Sequence, residues 1–392
     1  MTKTNYKGTL FACYLAYITQ ALIVNLPPIL FGVFKDEFGL SYMMLGGLVV
    51  VVFLTQLVVD ALAVLFVDKI GYRASAVIAH IFAAVGMIFL TFLPRILPNP
   101  YVGLVIASLI YSIGGGLIEV LVSPIVESLP GEAKASAMSL LHSFYSWGQV
   151  LVIILSTFAL LFVGKNFWYI LPLIWTFLPI ITLVMFTKVP LMPMSEENEK
   201  IPLKKLVTSK VFLLAFFLMI CSGASEQAMG QWASIFAEKG LGISKVLGDL
   251  LGPCLFAIMM GLSRTYYGIK GQQIDIYKAL IFGSILCIFS FALTALSPIP
   301  FMALIGCALC GLGVSLMWPG MLSIMAKSYI SGGTAMFALM ALGGDLGCSV
   351  GPCLTGAVAD ISNLNFGLLS GLIFPSAMII GLFMLKSMLS KE

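Results

Sequence analysis

The chain has 392 residues, of which 60% are apolar and only 10% charged, and its net charge is +4. A water-soluble chain carries about 25% charged residues. The composition therefore excludes a soluble globule, and so small a positive balance gives no reason to invoke nucleic acid.

The apolar residues come in long runs, and runs of about 20 are what an α-helix needs to cross a hydrocarbon layer of ~30 Å. In chain order the runs predict twelve membrane spans, near 8–34, 42–67, 74–95, 101–128, 137–163, 167–187, 209–237, 246–266, 279–297, 301–326, 333–358 and 364–388. Barrel strands of about 10 alternating residues are not the pattern. The first run follows Lys3 and Lys7 but is longer than a signal-peptide core, carries Gln20 and Asn25, and lacks a small-residue cleavage site. It is kept as a span. With the N-terminus on the cytoplasmic side, sixteen Lys and Arg residues fall in loops on that side and five on the other. This predicts a protein of the plasma membrane with both termini cytoplasmic.

The long polar stretch 188–210 contains prolines and mixed charges, and reads as a solvated linker. It separates an N-terminal six-helix bundle (1–187) from a C-terminal one (209–392), with 188–208 as the linker between them. Across it the sequence repeats at an offset near 200 residues. "PYVGLVIASLIYSIGGGLIEVLVS" (100–123) aligns without gaps to "PFMALIGCALCGLGVSLMWPGMLS" (300–323). Internal repeats around a central site are how many transporters are built.

A charge at the bilayer centre costs at least about 2.5–3.5 kcal/mol, so it faces an interior cavity or carries a function. Four acids sit well inside spans: Asp60 in the second, Glu119 in the fourth, Glu226 in the seventh and Asp345 in the eleventh, whereas Glu127 and Asp249 lie nearer span ends. Span one adds Gln20 and Asn25, with "NLPP" (25–28) expected to disturb its helix. Span five, "LLHSFYSWGQV" (140–150), carries His142, Ser146 and Gln149 on one stripe, with Tyr145 and Trp147 between them. Span seven adds Gln227, Gln231 and Trp232 beside Glu226. In the repeat, Trp147 aligns with Asp345, and Glu119 with Pro319 beside Trp318, so the halves differ in chemistry at matched positions. Either residue, Glu119 or Glu226, loses a buried charge when it takes up a proton. That links proton and solute binding. Amides, acids, hydroxyls and indoles suit a neutral hydroxyl-rich solute. No Arg or Lys falls in a mid-span segment, which argues against an anionic solute. All eight cysteines lie in apolar spans. "CALC" (307–310) has no second pair, so neither a metal nor another cofactor is expected beyond a coupling H+ or Na+. Glycine-rich nucleotide loops, nucleophile elbows and large extramembrane domains are not found, so no enzyme activity is expected.

The twelve spans, the 6+6 repeat and "VLFVDKIGYR" (64–73) resemble the major facilitator superfamily. The loop signature of that family, Gly-x-x-x-Asp-(Arg/Lys)-x-Gly-x-(Arg/Lys), is matched by Asp68, Lys69, Gly71 and Arg73. Val64 stands where the leading glycine belongs. "GLSRTYYG" (261–268) is a degenerate echo that keeps Arg264. The resemblance implies a cytoplasmic gate built from Asp68, Lys69, Gly71 and Arg73, with Arg264 in the echo and Asp60 two turns inside the membrane. "LLHSFYSWG" and the span-four carboxylate are similar to the fucose and glucose permease branch. That implies cation-coupled sugar uptake with Glu119 handling the proton. The span-one carboxylate of that branch has no counterpart here, which leaves proton coupling, sodium coupling and uniport open. The resulting expectation is a monomeric, alternating-access symporter of a small polar solute in the lipid bilayer. The alternatives are an exporter of drugs or cationic metabolites, for which "GDLGCSVGPCLTG" (344–356) is a displaced echo, and a non-transporting receptor or scaffold.

Overall fold

In hydrocarbon every backbone N–H and C=O needs a partner within the protein, and continuous helices meet that demand. The computed structural model describes residues 5–40, 42–130, 134–192, 203–233, 236–329 and 333–390, and contains no strand among them. Of the linker expected at 188–208, residues 193–202 lie outside the described residues.

The spans are α1 (Lys7–Phe38), α2 (Tyr42–Ile70), α3 (Tyr72–Ile96), α4 (Pro100–Ser128), α5 (Lys134–Val163) and α6 (Ile170–Trp175, continuing as Phe177–Lys188). A short helix, Leu203–Thr208, precedes α7 (Lys210–Gly230), α8 (Leu255–Lys270) and α9 (Ile276–Leu296). Next come α10 (Pro300–Val314, resuming as Met317–Ser328), α11 (Gly333–Ile361) and α12 (Leu364–Ser370, continuing as Ile373–Leu389). Lys245–Asp249 and a π-helical turn, Leu250–Cys254 with Pro253 inside it, lead into α8. Eleven of these elements are long and apolar enough to cross a membrane, and α2 contributes a shorter apolar segment, Gly47–Ala63. The chain is an all-α polytopic membrane protein whose spans match the twelve apolar runs.

Side chains start several of these helices. Asn99 accepts a hydrogen bond from the Tyr101 amide at 3.0 Å, Ser209 from Phe212 at 3.3 Å, and Asp275 from Tyr277 at 2.9 Å. Each gives an otherwise unpaired first-turn N–H a partner. Pro100 and Pro300 open α4 and α10 at matched places in the repeat. "NLPP" departs from expectation, because α1 runs through Pro27 and Pro28 to Phe38. Membrane helices tolerate prolines where neighbouring groups satisfy the freed carbonyls.

The chain divides into two compact units, residues 1–129 with 148–193, and residues 130–147 with 194–392. In the first, α3 and α2 pack on α4, and α1 lies against α4 and α6. Leu22, Leu26, Phe34, Met87, Tyr111 and Trp168 form part of its core. In the second, α11 lies along α7, and α10 packs between α8 and α9. Gly347 and Gly351 of "GDLGCSVGPCLTG" set the α11 backbone directly against Ile220 and Ala224 of α7, the small-residue contact typical of membrane helices. Large apolar side chains such as Leu54, Phe162, Phe282 and Ile380 are exposed, as lipid-facing residues are.

Candidate functional site

In the second unit the polar residues gather around a cation. Arg264 lies within α8 and is only 2% exposed, so the residue counted from sequence among the loop cations is buried. Its Nη2 donates to Glu226 Oε2 on α7 at 3.1 Å. Its Nη1 donates to the His142 carbonyl at 3.3 Å and to Ser146 Oγ at 3.0 Å, both on α5. Its Nε donates to the Ser315 carbonyl at 2.7 Å, in the gap between the two pieces of α10. That carbonyl is available for a sequence reason. Pro319, four residues on, has no N–H to return to it. Ser315 Oγ also meets Ser263 Oγ at 2.6 Å, and Ser139 Oγ donates to the Arg264 carbonyl at 2.9 Å. One guanidinium thus ties together α5, α7, α8 and α10, using four of its five N–H groups.

Other expected site residues of this unit serve helix contacts. Trp147 Nε1 donates to Thr265 Oγ1 at 2.9 Å, Trp232 Nε1 donates to the Pro352 carbonyl at 3.2 Å, and Gln231 Nε2 donates to Gln227 Oε1 at 3.0 Å. Trp318 packs on Gly344, the residue before buried Asp345. Tyr145 is half-buried on the same stretch of α5.

In the first unit, α4 brings a carboxylate to an amide. Gln20 Nε2 of α1 donates to Glu119 Oε2 at 3.1 Å. Gln56 of α2, which sequence reading passed over, is buried one turn before buried Asp60. Both amides stand over Gly115, one turn before Glu119. A Cβ there would lie 2.6 Å from Gln56 Nε2 and 2.7 Å from Gln20 Oε1. Asn25 turns back onto its own helix, donating to the Ala21 carbonyl at 2.8 Å, and Gln149 is half-buried. Tyr17 and Ser123 meet at 3.2 Å further along α1 and α4.

The α2–α3 loop turns at Gly71, whose φ of 90° suits a glycine. Asp68 and Lys69 are exposed at the end of α2. Two residues past the turn, Arg73 donates from Nη1 to the Phe186 carbonyl at 2.7 Å and from Nη2 to the Val189 carbonyl at 2.8 Å. It thereby caps the C-terminus of α6, where a cation also complements the helix dipole.

A sequence profile described as Major Facilitator Superfamily matches residues 10–352. The chain belongs to the Major Facilitator Superfamily. It is 25% identical over 335 residues, 84% of each chain, to an uncharacterized MFS-type transporter of Yersinia pestis. Its fold is similar to that of the superfamily transporter FucP in its outward conformation, with a TM-score of 0.80 and 15% identity over 97% of this chain and 99% of the other. It is also similar to the superfamily's proton:xylose symporter XylE, with a TM-score of 0.79 and 14% identity over 97% of this chain and 95% of the other. A human superfamily member, the organic anion transporter MFSD10, follows at 0.76 and 15% identity over 98% of this chain and the whole of the other. At these identities the likeness concerns the superfamily fold. Membership implies a small-molecule solute and a lipid environment.

Two features were missed from sequence, each with a signal in it. Gln56 lies four residues before Asp60, so the two share a helix face. Pro319 lies four residues after Ser315, which marks the carbonyl that Arg264 takes.

Proposed function

We propose that this superfamily member is a proton-coupled symporter that takes up a small, neutral, hydroxyl-rich solute, a sugar or polyol, by alternating access. The observation carrying this reading is the Glu119 carboxylate on α4, held by the Gln20 amide with the Gln56 amide beside it. A carboxylate takes up and releases a proton, and amides recognise hydroxyls as both donor and acceptor. Two similar folds support the choice, the E. coli fucose:proton symporter and the proton:xylose symporter. In this reading Glu119 handles the proton and the Arg264–Glu226 pair organises the second unit. Arg73, with Asp68 and Lys69, works at the cytoplasmic gate, and both chain termini are cytoplasmic.

Arg264 favours a second reading. A buried guanidinium is what an organic anion seeks, and one of the similar folds is an organic anion transporter. In the structure, however, Glu226 already holds that guanidinium.

Thermal stabilisation of the purified protein in detergent tests both readings, screened at two pH values against sugars, polyols, carboxylates, lipophilic cations and sodium. A ligand that binds the folded state raises the melting temperature by mass action. Stabilisation by one family of sugars or polyols, lost in Glu119→Gln, supports the symporter. Stabilisation by carboxylates alone replaces it with the anion reading.

A further inference from the structure

Two buried amides of the first unit, Gln20 on α1 and Gln56 on α2, converge beside Glu119 of α4, and one atom of each is left over. Gln20 and Gln56 are 3% and 1% exposed. Gln20 Nε2 is committed to the Glu119 carboxylate, which turns Gln20 Oε1 the other way. Among the described residues, neither Gln20 Oε1 nor Gln56 Nε2 has a hydrogen-bond partner. An unsatisfied buried amide atom is costly and calls for an explanation. Both atoms lie over the same point, within 2.7 Å of where a side chain on Gly115 would begin, with Ile23 alongside. One is an acceptor and the other a donor, and they are close enough for a single oxygen to bridge them.

We propose that Gly115, Gln20 and Gln56 form a subsite that reads one hydroxyl group of a polyhydroxylated solute. This rests on the symporter reading and names the contact that selects within the class. The hydroxyl accepts from Gln56 Nε2 and donates to Gln20 Oε1, the two roles a hydroxyl fills at once and an ether or a fluorine does not. Gly115 is part of the recognition because its missing side chain lets both amides close over one point of α4. A side chain there would push on both amides, and a hydroxyl-bearing one would also bond to them. In this conformation the two atoms are closed to solvent, while Glu119 one turn away is half-buried. A solute reaching the carboxylate therefore meets Gln20 next, and the long amide side chains swing to admit its hydroxyl. Leaving the amides unpaired against an analogue without that hydroxyl is what gives such a site its selectivity.

Two measurements on the full-length protein in detergent test the subsite. The first uses no solute and compares melting temperatures of Gly115→Ser and Gly115→Ala. A serine hydroxyl supplies in place the group that the subsite is built for, so the Ser variant should melt roughly 2 °C or more above the Ala variant. Equal melting temperatures, or a lower one for Ser, overturn the subsite. The second measures affinity for L-fucose, D-galactose, D-glucose and D-xylose and for their monodeoxy analogues. In the parent protein, one deoxy position should lower affinity about tenfold or more. In Gly115→Ser and in Gln56→Leu, the sugar and that analogue should bind alike. An unchanged deoxy penalty in both variants overturns the subsite and leaves the symporter standing. If no sugar or polyol binds the parent protein, the symporter reading falls and the subsite falls with it.

Discussion

Gly115 and Ser315 hold the same place in the two repeats, as do Glu119 and Pro319, yet the surroundings have diverged. In the first unit α4 is unbroken from Pro100 to Ser128, and two amide side chains reach over Gly115. In the second, Pro319 withholds an N–H, α10 is interrupted between Val314 and Met317, and the Ser315 carbonyl goes to Arg264. One repeat keeps its helix intact and presents polar side chains. The other opens its helix and spends the exposed backbone on a charge that four helices share. A duplicated scaffold thus carries side-chain amides over an unbroken helix in one half and an ion pair over an opened helix in the other, and the opened helix is the one with a proline at the matched position.

The largest effect should come from Arg264→Met. It strands the Glu226 carboxylate and the Ser315 carbonyl, and breaking a buried pair in this way costs about 3–5 kcal/mol. The expected result is a large fall in melting temperature, partly recovered in the double variant with Glu226→Gln. If the single variant keeps its stability, the second unit is not organised around this pair. Next is Glu119→Gln. An imposed gradient of one pH unit is worth roughly 1.4 kcal/mol, so the parent protein in liposomes should accumulate its solute up to about tenfold. The variant should only equilibrate it, with counterflow exchange retained. Continued accumulation would move proton handling away from the first unit. The smallest effect is Pro319→Ala, which restores the N–H and lets α10 close on Ser315, changing stability by about 1 kcal/mol or less. In that background Arg264→Met should cost less than it does alone. Strict additivity of the two changes would show that the proline does not create Arg264's task.

Much of the fold was legible because hydrocarbon imposes one rule, and twelve apolar runs became twelve helical spans. The acids were legible for the same reason, since each stands alone in an apolar run. Arg264 was read as a loop residue because "SRTYYGIK" is polar enough to look like a span end, whereas α8 continues to Lys270. The argument from sequence that no mid-span cation exists therefore fails. Tertiary contacts with α5, α7 and α10, invisible along the chain, bury this arginine. Gln56 was passed over because a lone amide in "FLTQLVVD" carries no charge to flag it. Its importance comes from lying across from Gly115, which only the packing of α2 on α4 reveals. Trp147 and Trp232 were legible as ring faces, whereas the partners of their indole N–H groups, Thr265 and the Pro352 carbonyl, lie far away in sequence and show only in the packing.

The division of α5 has a consequence for how the protein is made. Its first part, residues 134–147, packs with the second unit, while its remainder packs with the first. Ser139 and Ser146 must therefore wait for a partner that the ribosome has not yet translated. At 5–20 residues per second the delay before Arg264 emerges is on the order of ten seconds. Over that interval the serine face of α5 is without the arginine it bonds in the finished protein. The α5 helix is thus completed in two stages, and its first turns reach their final contacts only once α8 has been made.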